Sequence, residues 1–463
     1  MIRKSLTTAA LFAVVTLAAP AAAQSVSQDD VQMRYNRALA AGYKALFLCS
    51  AIGNSGPTGH RRTAVSVEAM ELSGIQAPLD SIVPTLEAQI EFGSDNALDR
   101  VRVAFADTMP PRVAVFKGSG KGCSLLPIGA AVPEGEVPFG QLIDVIVPPD
   151  AERPQEPQTK TLAARIARMA FDPRYGEGAR TTAVLIQRDG RILGEAFANG
   201  YDGGLPQRTW SVAKSIAATI VGAAVHRGEA DVSASAGLGE DDADPRRAIT
   251  IDDLLRMASG RYQDTPGNRT DALYFGGSTV EETALHWPLV YTPGTVFRYA
   301  NNDTLAAIMA IDKSFEVHPP AELFAELGMN ATVAETDWQG DYVLSSQVWS
   351  TARDLAKLGQ LYLDDGVLPS GERILPEGWA KYVATPSGPQ PDGPFGYGAG
   401  FWLLNASEGI PPDTYAMMGN RGQYVVIVPS RDIVIVRRGE DPVGARFDIV
   451  VFAKDVLASL PER

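Results

Sequence analysis

The chain has 463 residues, with 41 basic and 55 acidic side chains and a formal net charge of −14. A hydrophobic fraction of 45 % with 21 % charged residues is the composition of a folded protein with a sizeable core, and it excludes a disordered chain. The acidic balance excludes a nucleic-acid binder as the first expectation, because phosphate backbones are held by clustered Lys and Arg.

The first element is an export signal. Arg3 and Lys4 precede the apolar run Ala9 to Ala19, and the small residues Ala21-Ala22-Ala23 stand before Gln24. Basic residues, a short apolar run and a small-residue end make a secretory signal peptide over 1–23, and the run is too short to span a bilayer comfortably. The expected location is periplasmic or secreted, with no membrane span in the mature chain.

Export changes the reading of the two cysteines, Cys49 and Cys123. An even pair in an oxidising compartment predicts a disulfide. Closing a loop of that length stabilises by roughly 4 to 5 kcal/mol in the chain-entropy account.

Residues 24–147 read as a small α+β unit. Tyr35, Leu39, Tyr43 and Phe47 stand four apart and predict a helix over 29–47. Val101, Val103 and Phe105 alternate with other residues, Met109-Pro110-Pro111 breaks the run, and Val113 and Val115 resume it, which predicts two strands about a turn. The segment 148–157 carries four prolines and few apolar residues, so it reads as a linker.

From 158 to 463 the texture alternates between helix and strand. A hairpin is expected from Thr182 to Ile186, through Asp189-Gly190, to Ile192–Phe197. A second closes the chain, from Tyr424 to Val428 and from Ile433 to Val436. Strands at both ends with helices between predict an α+β fold: one antiparallel sheet flanked by helices, plus a helical region.

The chemistry-bearing residues begin at Ser211-Val212-Ala213-Lys214, which opens an apolar helix running to about His226. Residues three apart share a helix face, so hydroxyl and amine can meet. A Ser hydroxyl needs a base to become a nucleophile, and Lys serves only once burial lowers its pKa. Backbone N–H groups at the helix start suit an oxyanion. The other reading of this tetrapeptide is a capping Ser and a surface Lys. Tyr299-Ala300-Asn301 is the second site candidate: a phenol beside Lys can relay a proton, and an Asn amide can hold a substrate carbonyl or orient the Lys. Further candidates for substrate contact are Trp210, Gly419 and Arg421. No cofactor motif occurs, and the four histidines are scattered without metal-ligand spacing.

The pair Ser211-x-x-Lys214 and Tyr299-x-Asn301 resembles the serine β-lactamase and penicillin-binding-protein superfamily. More narrowly, with Ile251–Gly260 and Ser350–Ala356, it is similar to the class C-related serine hydrolases that include 6-aminohexanoate-dimer hydrolases and family VIII-type carboxylesterases. The likeness covers roughly residues 160–455. It implies Ser211 as nucleophile, Lys214 as base, Tyr299 as proton relay, Asn301 as a polar contact, and an oxyanion hole from the Ser211 N–H and a strand N–H near the C-terminus. Penicillin-recognising members carry Lys-Thr-Gly or His-Thr-Gly on that strand, ahead of a Gly-rich turn, whereas the corresponding stretch here, Thr414–Tyr424, holds neither. That departure favours a small-molecule ester or linear amide as substrate. D,D-peptidase or β-lactamase activity, and a non-catalytic penicillin-recognising fold used for binding, stay open as alternatives.

Overall fold

The computed structural model describes residues 25–60, 62–93, 97–132, 161–262 and 270–461. The expected signal peptide at 1–23 and the linker at 148–157 lie outside the described residues.

Ser27 accepts a hydrogen bond from the Asp30 N–H and caps a helix, Gln28–Ser55, whose first turn carries Asp29 and Asp30. The helix outruns the expected 29–47, because Leu48, Ala51 and Ile52 continue its apolar side until Gly56-Pro57 ends it. It crosses a four-stranded antiparallel sheet whose strands, in spatial order, are Ala88–Phe92 (β1), Leu98–Val103 (β2), Arg112–Phe116 (β3) and Cys123–Leu125 (β4). The two expected strands are β2 (Leu98–Val103) and β3 (Arg112–Phe116). They are joined by β1 (Ala88–Phe92) and β4 (Cys123–Leu125), the latter too short to show a period. Tyr43, Leu46 and Phe47 of the helix pack with Val101, Val103 and Ala114 of the sheet. Cys49 and Cys123 form the expected disulfide, tying the helix to β4.

The larger sheet is built from both ends of residues 161–461, as expected. Its strands are β5 (Thr181–Arg188), β6 (Arg191–Phe197), β10 (Gly396–Tyr397), β11 (Trp402–Leu403), β12 (Tyr415–Gly419), β13 (Gln423–Val428) and β14 (Ile433–Gly439). The order β10-β11-β12-β13-β14-β5-β6 is antiparallel throughout, and β14 pairs with β5 through Ile435 and Ile186. The β5–β6 turn is Asp189-Gly190, both left-handed, as a two-residue hairpin requires.

Period-two alternation buries both faces of this sheet. Ile186, Val426 and Ile435 face the helices Leu162–Met169 and Ile449–Ser459. Leu185, Val425 and Val436 face the helices Val212–His226 and Ala352–Leu363. A small third sheet, order β7-β9-β8, joins β7 (Gln207–Arg208), β8 (Val333–Ala334) and β9 (Val348–Ser350). It delivers the chain from β7 directly to Ser211. No helix among the described residues is long and apolar enough to cross a membrane.

Candidate active site

Between β7 and the helix Val212–His226 the chain makes a sharp turn. Trp210 has φ +51°, a left-handed conformation that a bulky residue adopts only when its surroundings impose it. Ser211 follows at the helix cap, and its side chain makes no capping hydrogen bond. The helix is apolar nearly all round and buried, so Lys214, one turn in, is carried into the interior at 1 % exposure. A capping Ser with a surface Lys is therefore not what forms.

Lys214 Nζ lies 3.2 Å from Ser211 Oγ. It donates to Asn301 Oδ1 at 2.7 Å and to the Ser345 carbonyl at 2.9 Å. Burial drives the amine down from the ordinary lysine range to about 7. Asn301 is the first residue of the helix Asn301–Met309, and its Nδ2 donates to Thr270 Oγ1 at 3.2 Å. That bond fixes the amide with its oxygen toward Lys214. Ser345 is itself held, its hydroxyl 2.6 Å from the Tyr274 hydroxyl.

Tyr299 completes the group. Its ring centroid is 5.0 Å from Lys214 Nζ. Burial raises the phenol well above its usual range, only partly offset by the neighbouring Ser211 side chain, so it stays protonated at neutral and mildly alkaline pH. Tyr397 and Trp402 pack against the Tyr299 ring at 5.9 and 5.3 Å.

Gly419 ends β12 directly beside Ser211. A Cβ there would overlap the Thr209 carbonyl oxygen and stand 3.1 Å from the Ser211 amide nitrogen. Only glycine permits this approach of the strand end to the Ser211 N–H.

The structure thus brings Ser211, Lys214, Tyr299, Asn301 and Gly419 together, and it places two expected substrate contacts elsewhere. Trp210 is buried in the core shared with the N-terminal helix, against Phe47 and beneath the Arg208 guanidinium. Arg421 is also buried. Its Nε donates to Glu440 at 2.6 Å, and Nη2 donates to the Met70 and Ser73 carbonyls at 2.8 and 2.9 Å. A guanidinium so occupied has no fork to offer a substrate carboxylate.

Sequence reasoning missed Ser345, Thr270 and Tyr274. Ser345 acts through its main-chain carbonyl, which any residue supplies, and Tyr274 sits on a four-residue helix, Asp271–Tyr274, too short to show a period.

Comparison with known proteins adds four findings. The family model described as Beta-lactamase matches residues 166–439. A 6-aminohexanoate-dimer hydrolase of Paenarthrobacter ureafaciens is 24 % identical over 339 residues, 63 % of this chain and 81 % of that protein. Among solved structures, a chain from Bacillus anthracis assigned by name to the 6-aminohexanoate-dimer hydrolases superposes with a TM-score of 0.51 at 20 % identity, covering 60 % of this chain and 78 % of that one. A class C beta-lactamase superposes with a TM-score of 0.50 at 14 % identity, covering 66 % of this chain and 100 % of that one.

Proposed function

The chain belongs to the beta-lactamase family, and from that premise we propose that it is an exported serine hydrolase that cleaves a linear amide or an ester through an acyl-enzyme on Ser211. The observation that carries the reading is the hydrogen-bonding of Lys214. A neutral amine has two N–H bonds and one lone pair. Two carbonyl oxygens, Asn301 Oδ1 and Ser345 O, accept the two hydrogens. The lone pair is left for Ser211 Oγ at 3.2 Å, and Lys214 removes the hydroxyl proton as Oγ attacks the substrate carbonyl.

Negative charge then develops on the carbonyl oxygen. The Ser211 N–H and the strand end at Gly419 converge where a donor pair for it belongs. The Tyr299 phenol, kept protonated by burial, gives its proton to the departing nitrogen or oxygen, and the proton held on Lys214 restores the phenol. Water enters by the same steps in reverse and frees Ser211.

The substrate class rests on two supports. Neither the Lys-Thr-Gly nor the His-Thr-Gly that would meet a β-lactam carboxylate occurs in the stretch Thr414–Tyr424, and Arg421 is engaged with Glu440. The curated relative is named for hydrolysing an aminohexanoate dimer, which fits a linear amide. Export is supported by the disulfide and by the character of residues 1–23.

A substrate panel tests the reading. Short linear amides and p-nitrophenyl esters are expected to turn over, with an acyl adduct on Ser211 visible by mass spectrometry after rapid quenching. Turnover confined to a β-lactam, or turnover with no adduct at Ser211, contradicts it.

A further inference from the structure

Two residues next to the candidate oxyanion pocket hold left-handed backbone without being glycine. Trp210, φ +51°, immediately precedes Ser211, and Arg421, φ +56°, lies two residues past Gly419. Each conformation persists only where neighbours over-determine it. For both, those neighbours include residues of the N-terminal unit, which lies outside the family match at 166–439.

Phe47 of the helix Gln28–Ser55 packs on the Trp210 ring at 5.8 Å. The Arg208 guanidinium lies over both rings, 4.8 Å from the Phe47 centroid and 4.3 Å from that of Trp210. The Trp210 indole N–H has no hydrogen-bond partner among the described residues, so these ring contacts hold the side chain. On the other side of the pocket, the Met70 and Ser73 carbonyls accept from Arg421 Nη2. A third grip lies behind the base. Arg112 of β3 donates to both Ala38 O and Phe275 O, at 2.9 and 3.0 Å. This fixes the end of the short helix whose Tyr274 meets Ser345.

We infer that the N-terminal unit is a positioning element of the hydrolytic site, with Phe47 setting the Trp210–Ser211 turn and the 70–73 carbonyls setting the strand end at Gly419 through Arg421. The inference rests on the serine mechanism above. Phe47 touches no reacting atom and acts through Trp210, so its loss acts on the geometry of attack. A displacement of about 1 Å at a reacting group costs up to roughly a hundredfold in rate.

The test uses the full mature chain and two readouts, kcat and KM for a p-nitrophenyl ester and the rate at which a fluorophosphonate labels Ser211. Phe47→Ala is expected to lower kcat and the labelling rate about tenfold to a hundredfold with KM within about threefold, while Phe47→Leu recovers part of the loss. Leu79→Ala, buried on the short helix Leu79–Ile82 of the N-terminal unit and outside the contacts to Trp210 and Arg421 named above, serves as the stability control. All are measured below their unfolding transitions. If Leu79→Ala lowers Tm by a similar amount yet keeps kcat, the positioning role stands. If kcat follows Tm equally in both variants, or Phe47→Ala keeps wild-type kcat, it is overturned. Should Phe47→Ala not fold, Arg421→Lys carries the same comparison from the strand side. A wild-type Ser211 that the fluorophosphonate leaves unlabelled, or activity that survives Ser211→Ala, overturns the serine mechanism itself and this inference with it.

Discussion

Lys214 Nζ and Asn301 Oδ1 meet at 2.7 Å inside the protein, joining the first turns of two helices whose sequences lie 87 residues apart. The bond orients an amine that burial holds near pKa 7, and it makes Asn301 a partner of the proposed base as well as a candidate substrate contact. Asn301→Ala is expected to lower kcat by about tenfold or more, because Lys214 then loses the acceptor that directs its lone pair. Asn301→Asp is expected to differ in kind. A carboxylate at this distance favours the ammonium form, so the acid limb of the pH–rate profile shifts to higher pH.

The wild-type profile follows from the same amine. On the proposed mechanism Lys214 works as a base only when neutral, so kcat/KM is expected to rise as pH increases through about 7 and to level off above it. The burial has a stability counterpart. Between about 7 and the ordinary lysine range the unfolded chain binds a proton that the folded chain does not, so this group's contribution to stability rises with pH across that window. Lys214→Met is expected to abolish turnover, and its stability relative to wild type is expected to be most favourable near neutral pH and to decline as pH rises. Denaturant titrations of both proteins at several pH values check the sign.

Tyr299→Phe separates amides from activated esters. A p-nitrophenolate leaves without protonation, whereas an amine does not. The variant is expected to lose about a hundredfold or more on a linear amide and much less on a p-nitrophenyl ester. Equal losses on both would assign Tyr299 a role other than proton donation to the leaving group.

Gly419→Ala places a methyl against the Thr209 carbonyl and 3.1 Å from the Ser211 amide nitrogen. Activity is expected to fall by about a hundredfold to a thousandfold, the range for loss of one oxyanion donor. The acylation rate of Ser211, measured by burst kinetics, shows whether the loss lies in the first chemical step.

Removing the disulfide by Cys49→Ala with Cys123→Ala is expected to destabilise by about 2 to 5 kcal/mol. Treating the wild-type protein with a reductant is expected to reproduce the loss, and the double variant is expected to be insensitive to it.

The parts of the site that were legible in the sequence share one property. Ser211 and Lys214 are one helical turn apart, and Tyr299 and Asn301 are two residues apart, so local spacing alone brings each pair together. The β5–β6 hairpin was legible for the same reason, since Asp189-Gly190 encodes its own turn. What was hidden acts over long separations or through the main chain. Ser345 contributes a carbonyl to an amine 131 positions away. Arg421 reads as a free cation until Met70 and Ser73, about 350 positions earlier, are found on its guanidinium. Trp210 beside Ser211 reads as a substrate contact, and only tertiary packing shows it against Phe47. Helix and strand periods carry no information on which surface of the N-terminal unit would meet the rest of the chain.

The central claim is that Ser211 is the nucleophile, and its most direct test is hydrolysis of a short-chain p-nitrophenyl ester at mildly alkaline pH by the wild-type protein and by Ser211→Ala, with circular dichroism confirming that both are folded. The account predicts steady turnover by the wild type that Ser211→Ala reduces to background. Equal rates in the two proteins, or no turnover by a folded wild type, would contradict it.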